Sequence, residues 1–333
     1  MEGGYSFQPL TEQENALFRK HFKGEDPDAS LVKIVDSNYD YILTVNEKFK
    51  EVSHLFTSLK LREDDVWIIT SPKCGTTWTQ ETTWHIMNNV QLQKTQECLF
   101  DRSPFLEMGV MRSSDPKAAE EMIRKVDDLP SPRTIKTHLP FELLPPNLLD
   151  TCKVIFVNRN IKDACVSMYY HMLRRQKDNF DSKFSDFAEE VFRAGLCPLG
   201  VVSGPSYFAM LKSQYLRMDH PNMLVLWYEN MKKDQRKMVV DIKNHIKYDI
   251  YEEQIAALTE FMKFENYQKS SSMNKDRDTG KETEGIKFVR KGIVGDSKNH
   301  FDDDMVRDWD EWIVEEFKKT EISDRAVLEL IRT

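Results

Sequence analysis

Val66-Trp67-Ile68-Ile69-Thr70-Ser71-Pro72-Lys73-Cys74-Gly75-Thr76-Thr77-Trp78 is the stretch on which the fold turns. Its first five residues are mostly apolar and rich in β-branched side chains, the pattern of a strand buried on both faces in a parallel sheet. Ser71 to Thr77 is a turn of breakers and small hydroxyl residues, and Trp78 to Val90 reads as a helix. In an open α/β sheet, ligands bind beyond the carboxyl ends of the strands. A helix that begins there offers free backbone N–H groups and a partial positive charge, which favour phosphate. Gly75 lets the backbone approach closely, Thr76 and Thr77 add hydroxyls, and Lys73 adds a charge. This is a phosphate cradle by mechanism. It differs from the GxxxxGK[ST] loop of nucleoside triphosphatases, since it has one glycine and the lysine comes first.

Further strands are predicted at Thr134–His138, at Val154–Val157 and at Met223–Tyr228. The second runs through Asn158-Arg159-Asn160 into a helix ending near Arg175. The third precedes a helix with Met238, Val239, Ile242 and Ile246 on one face. Strands alternating with helices indicate α/β architecture with a parallel sheet. No composition break or repeat divides the chain, so a single domain over 1–333 is expected. Residues 1–60 read as helical and mixed, with Thr11 and Glu14 at capping-box spacing. The polar segment 268–286 reads as a mobile loop. Asp302-Asp303-Asp304 opens a last helix, about 302–319, with Met305, Trp309, Trp312, Ile313 and Phe317 on an apolar stripe.

The chain has 333 residues, 47 Lys+Arg against 55 Asp+Glu and a net charge of -8. That balance speaks against a surface made to grip nucleic acid or acidic lipid, while a local basic pocket stays open. Five cysteines, Cys74, Cys98, Cys152, Cys165 and Cys197, form no CxxC pair. Their odd number disfavours a disulfide framework or a structural zinc site and suits a reducing compartment. With no signal-peptide pattern and no apolar run near the ~20 residues of a membrane span, a cytoplasmic protein is expected.

Three more clusters carry chemistry. Lys136 and His138 are two apart on a strand and project together. A histidine beside a lysine is held neutral, which suits a general base at pH 7. Arg159 stands at a strand's carboxyl end, placed for a bidentate phosphate contact, and Ser167 follows about a turn into the next helix. Arg290, Lys291 and Gly292 follow the polar segment. Basic clusters on sheet-end loops of an acidic protein suggest a ligand with more than one phosphate.

These motifs together resemble a cytosolic sulfotransferase. The matching residues are Ser71 to Trp78 (family pattern PKSGTTW), Lys136-Thr137-His138-Leu139-Pro140 (KTHLP), Arg159 through Ser167 (RNPKDxxVS) and Arg290 to Asp296 (RKGxxGD). They come in the family's order and spacing, over about residues 40–318. The cysteine in the phosphate loop resembles the insect branch. The resemblance implies a P-loop-like three-layer fold with a parallel sheet of about five strands. It implies the donor 3'-phosphoadenosine 5'-phosphosulfate (PAPS; product PAP), no metal, and a small-molecule hydroxyl acceptor. By resemblance, Lys73, Cys74 (through its N–H), Gly75, Thr76 and Thr77 hold the 5'-phosphosulfate. Arg159, Ser167, Arg290, Lys291 and Gly292 hold the 3'-phosphate. Trp78 and Phe264 sandwich the adenine, and Tyr207 reaches its edge. His138 is the general base, Lys136 contacts the sulfonate, and Phe105 lines the acceptor pocket.

Some positions depart from the family. Cys74 replaces the loop serine, and a thiol at a helix N-terminus beside Lys73 is expected to have a lowered pKa and redox sensitivity. The family dimer motif KxxxTVxxxE survives only as Lys298, then Asp302-Asp303 and Arg307, which leaves monomer or dimer open. Trp84, His85, Met87, Tyr169 and Met172 are further candidates for an acceptor pocket that the 15 methionines let adapt. Phenols are favoured slightly over aliphatic alcohols by acidity. The alternatives are a P-loop kinase, a sulfotransferase-like dehydratase whose sulfate ester eliminates, and a nucleotide-binding protein without turnover.

Overall fold

The computed structural model describes residues 5–23, 31–36, 43–112, 115–175, 179–196, 204–274 and 285–332. At its centre lie four parallel strands, β4 (Val66–Thr70), β5 (Thr134–Thr137), β6 (Lys153–Asn158) and β7 (Met223–Trp227), in the order β5-β4-β6-β7. The register sets Ile68 beside Lys136 on one side and Ile155 on the other. Every residue of β4 is buried, as an apolar strand in the middle of a parallel sheet must be. All four strands carry their carboxyl ends to the same edge, where the loops after them meet.

Where a fifth strand was expected, the described residues have one parallel bridge, Phe105 to Lys136, on the open edge of β5. Lys136 N–H donates to the Pro104 carbonyl at 2.9 Å, and Leu106 N–H donates to the Lys136 carbonyl at 2.9 Å. Pro104 has no N–H, so the ladder stops there.

The amino-terminal region differs from its helical reading. Besides the helices Glu12–His21 and Phe49–Thr57, it forms β1 (Tyr5–Pro9), β2 (Leu31–Asp36) and β3 (Leu43–Asn46), an antiparallel sheet in that order. The alternation is visible in β2, where Val32 and Ile34 are buried and Lys33 and Val35 are less so. Thr11 does cap the first helix, in a capping box with Glu14. The polar segment also differs at its start. Residues Phe264–Ser270 form a helix and Ser272–Asn274 a helical turn, tied down by buried Tyr267 and Asn274. Residues 275–284 of that loop lie outside the described residues.

The last long helix runs Asp303–Lys319, capped by Asp302, whose carboxylate accepts from Met305 N–H at 2.9 Å. It buries Trp309, Ile313 and Phe317 on the predicted stripe. A further helix, Arg325–Arg332, packs against the helix Ile161–Arg175.

Candidate active site

The turn after β4 is wound tightly. Lys73 has φ 67° and Gly75 φ 99°, both left-handed, before the helix Thr76–Met87 begins. A lysine in that region is uncommon and marks a constrained turn. One cavity opens at the carboxyl ends of the strands, lined by Lys73, Gly75, Thr76, Thr77, Trp78, Phe105, Lys136, His138, Arg159, Ser167, Phe264, Arg290, Lys291 and Gly292. Residues more than 200 positions apart in sequence therefore share one wall.

His138 carries the clearest chemical signal. Its Nδ1 lies 2.8 Å from the Thr70 carbonyl oxygen. A carbonyl only accepts, so the proton sits on Nδ1 and leaves Nε2 with a lone pair. Burial, reinforced by the charge of Lys136, holds the imidazole well below the ordinary histidine range. It is therefore neutral at pH 7. The Lys136 ammonium rests 3.8 Å from the Phe105 ring centre, and that ring meets His138 edge-on at 5.1 Å. Lys73 is half-buried, 4.5 Å over the ring of Phe288. Burial first, then the charges of Lys136, Arg159, Arg174 and Arg290, draw its ammonium down to about 7.

Two further loops complete the basic wall. The Arg159 guanidinium lies 4.3 Å over the Tyr228 ring and bonds the Lys73 carbonyl at 3.1 Å. Asp163 ties the loops together, pairing with Arg159 at 3.3 Å and accepting the N–H groups of Gly295 and Ser297, each at 2.8 Å. Asp296 holds Arg290 and, at 2.9 Å, Lys291. Arg159 Nε and Arg290 Nη1 are buried donors with no partner among the described residues, and both residues line the cavity. Such donors suit phosphate oxygens. Gly292 (φ 63°) packs so close to Phe264 that a Cβ would fall 2.1 Å from the ring. The backbone there can only be glycine's.

Not every expected residue reaches the cavity. Tyr207 is buried elsewhere, and its hydroxyl donates to the Arg159 carbonyl at 2.6 Å. Tyr228 and Tyr267 are the tyrosines that line the cavity among the described residues, and Tyr228 lies edge-on to Trp78 at 5.9 Å. Tyr228 was not foreseen. It is the residue directly after β7, so the rule that sites lie at strand carboxyl ends would have found it. Lys232, one turn further, places its Nζ 5.6 Å from Trp78 and 5.7 Å from Phe264, between the two rings expected to sandwich a base. His171 and Arg174 were also missed, although His171 lies one helical turn after Ser167.

Cys74 corrects its expectation. Its side chain is fully buried in the core beneath the loop, and burial pushes the thiol up to about 12 rather than down. Trp84, His85, Met87, Tyr169 and Met172 also lie off the cavity. His85 bonds Thr95 at 2.8 Å, Trp84 lies against the Arg102 guanidinium at 4.4 Å, and Tyr169 packs among Phe180, Phe184 and Phe187. The methionines that do line it are Met108, Met111, Met168, Met262 and Met273. Among the described residues no cluster of His, Cys, Asp and Glu is placed to hold a metal ion. None of the helices described is long and apolar enough to cross a membrane.

A parallel α/β sheet whose strand ends meet a phosphate cradle, separate basic loops and a neutral histidine defines a nucleotide-dependent group transferase. Residues 63–321 match the sulfotransferase domain, and the chain belongs to the sulfotransferase family. Human sulfotransferase 1E1 is 31% identical over 308 residues, 88% of this chain and 99% of that protein. The bovine sulfotransferase 1E1 is 33% identical over 259 residues, 77% of this chain and 84% of that one. Among solved structures, retinol dehydratase in complex with retinol and PAP superimposes with a TM-score of 0.83 at 27% identity, covering 96% of this chain and 98% of that one. Mouse sulfotransferase SULT7A1 complexed with PAP gives a TM-score of 0.62 at 25% identity, with 83% and 93% covered.

Proposed function

We propose that this enzyme transfers the sulfonate group of PAPS to a hydroxyl of a small, mostly apolar acceptor, with His138 as general base. The observation that carries this reading is the fixed, neutral imidazole of His138 on the same cavity wall as Lys73 and the phosphate turn. When bound, the donor supplies an activated sulfonate on a nucleotide leaving group. The chain supplies the rest. Phe100, Phe105, Met108, Met111 and Met168 form an apolar wall beside His138 and hold the acceptor body. Nε2 of His138 takes the hydroxyl proton as the oxygen becomes nucleophilic. Lys136 and Lys73, on the same cavity, would supply positive charge to the sulfonate and to the leaving phosphate, where negative charge would accumulate. Arg159, Ser167, Arg290 and the Gly292 backbone anchor the 3'-phosphate, and Trp78 with Phe264 holds the base. A buried Arg–phosphate bond contributes roughly 1.5–3 kcal/mol, or about 10- to 150-fold in affinity. Free thiols at Cys74, Cys98 and Cys152 accord with a reducing, cytosolic setting.

The test is donor consumption over a panel of phenols, steroids, amines and terpenoid alcohols, with His138→Ala and Arg159→Ala alongside wild type. His138→Ala should lose turnover and keep PAP binding. Arg159→Ala should raise the donor KM at least tenfold. Loss of PAP binding in His138→Ala would make that histidine structural.

A second reading has its own support, the 0.83 superposition on retinol dehydratase. In it the sulfate ester eliminates, so the acceptor alcohol leaves as an alkene and inorganic sulfate is released. Mass spectrometry of the product from a terpenoid alcohol separates the two: a sulfate ester supports transfer alone, and a product lighter by one water supports dehydration.

A further inference from the structure

Glu107 has no part in the chemistry derived above, yet it is 1% exposed and lies behind the two residues nearest the reaction. One carboxylate oxygen accepts the backbone N–H of His138 at 2.6 Å, and the other accepts the Thr137 hydroxyl at 2.9 Å. Thr137 in turn accepts the Leu139 N–H at 3.0 Å. The carboxylate thus grips the chain at the point where β5 ends and the histidine turns into the cavity. On its own strand side, Glu107 follows Phe105 and Leu106, the bridge segment bonded to the Lys136 backbone. The wall of the acceptor pocket and the strand that carries Lys136 and His138 are therefore stitched together at both main chains and through this one side chain.

A buried carboxylate without an ion pair is expensive, so burial alone does not account for it. Among the described residues no cation lies within ion-pair distance of Glu107. Its compensation is the two hydrogen bonds, with the field of Lys136 acting in the same direction. Burial raises its pKa and lowers that of Lys136, while each partner's charge favours the ionised form of the other. Lys136 is otherwise faced by the rings of Phe100 and Phe105.

We propose that Glu107 is the positioning residue of the catalytic histidine, holding the His138 backbone so that Nδ1–H meets the Thr70 carbonyl and Nε2 faces the acceptor. This rests on the sulfotransferase reading. Glu107→Gln keeps the shape and one acceptor oxygen but removes the charge and one of the two grips. It should lower kcat about 10- to 100-fold while the PAP Kd stays within twofold of wild type.

The deciding experiment reads the histidine itself. Nitrogen NMR of histidine-labelled protein, with His138 assigned by its loss in His138→Ala, reports the tautomer independently of turnover. Wild type should show His138 as the Nδ1–H tautomer, and Glu107→Gln should show a mixture of tautomers or a shifted titration. An unchanged His138 signal in a folded Glu107→Gln protein overturns the proposal. Absence of turnover in wild type with every acceptor tells instead against the sulfotransferase reading, and the NMR result still decides the role of Glu107. Should Glu107→Gln fail to fold, Thr137→Val removes one of its two grips, and His138 is expected to show the same tautomer mixing in weaker form. No change there overturns the proposal equally.

Discussion

The ring of Tyr228 lies directly over Gly75: a Cβ on that glycine would come 2.9 Å from Cδ2 of the tyrosine. Together with φ 99° at Gly75, this leaves no room for a side chain at that position of the turn. Gly75→Ala should displace Tyr228 and with it the stacked Arg159. The expected outcome is a donor KM raised at least tenfold, measured by initial rates, with acceptor KM nearly unchanged. Gly292→Ala should behave alike through Phe264. Normal donor affinity in both would mean that these close approaches relax without cost.

The two tyrosines should separate cleanly. Tyr228→Phe keeps the edge contact with Trp78 and the ring under Arg159 but removes the hydroxyl of a cavity-lining residue, so it should raise the PAP Kd and leave the melting temperature close to wild type. Tyr207→Phe removes the bond to the Arg159 carbonyl inside the core. Its main effect should be on stability, about 1 kcal/mol in chemical denaturation. The reverse pattern would restore Tyr207 to the nucleotide site.

Lys73 gives the protein a signed pH dependence. With its ammonium drawn down to about 7 by burial and neighbouring cations, much of it is neutral just above neutrality. An anion bound beside it raises that pKa, so binding takes up a proton. Affinity should be fully developed below pH 7 and decline as pH rises through it, at most about tenfold per pH unit. Calorimetry of PAP binding at pH 8 in buffers of different ionisation enthalpy should show proton uptake, and Lys73→Met should abolish it.

Cys74 should be chemically quiet. A fully buried thiol pushed up to about 12 offers almost no thiolate at pH 7.5. Peroxide or iodoacetamide should inactivate wild type and Cys74→Ser at equal rates. Protection in the serine variant would show that the loop opens enough to expose the sulfur.

Much of the site was legible in the sequence because it is made from strand ends. β4 announces itself by Val66–Thr70, Lys73 and Arg159 each follow a strand that periodicity or composition reveals, and Lys136 lies near the carboxyl end of another. The errors share a cause too. Whether a side chain at a loop points up to the ligand or down to the core depends on one or two backbone dihedrals. Cys74 lies between two left-handed residues and turns inward, which no local pattern encodes. Tyr207 and Tyr228 are both tyrosines near helix starts, and only the sheet order brings the second to the cavity. The small amino-terminal sheet escaped notice because β2 and β3 are four to six residues long and their alternation is broken by apolar neighbours.

The helix Arg325–Arg332 lies beyond the matched domain, which ends at 321, and its position has a practical side. The Ile331 carbonyl accepts a bond from the Asn160 side chain at 3.2 Å, and Arg332 approaches Asp310 at 3.3 Å. Asn160 is the neighbour of Arg159. A reporter or affinity handle fused directly after this helix would therefore pull on the segment proposed to hold the donor's 3'-phosphate. Kinetic comparisons between differently tagged preparations would then report the handle as much as the enzyme.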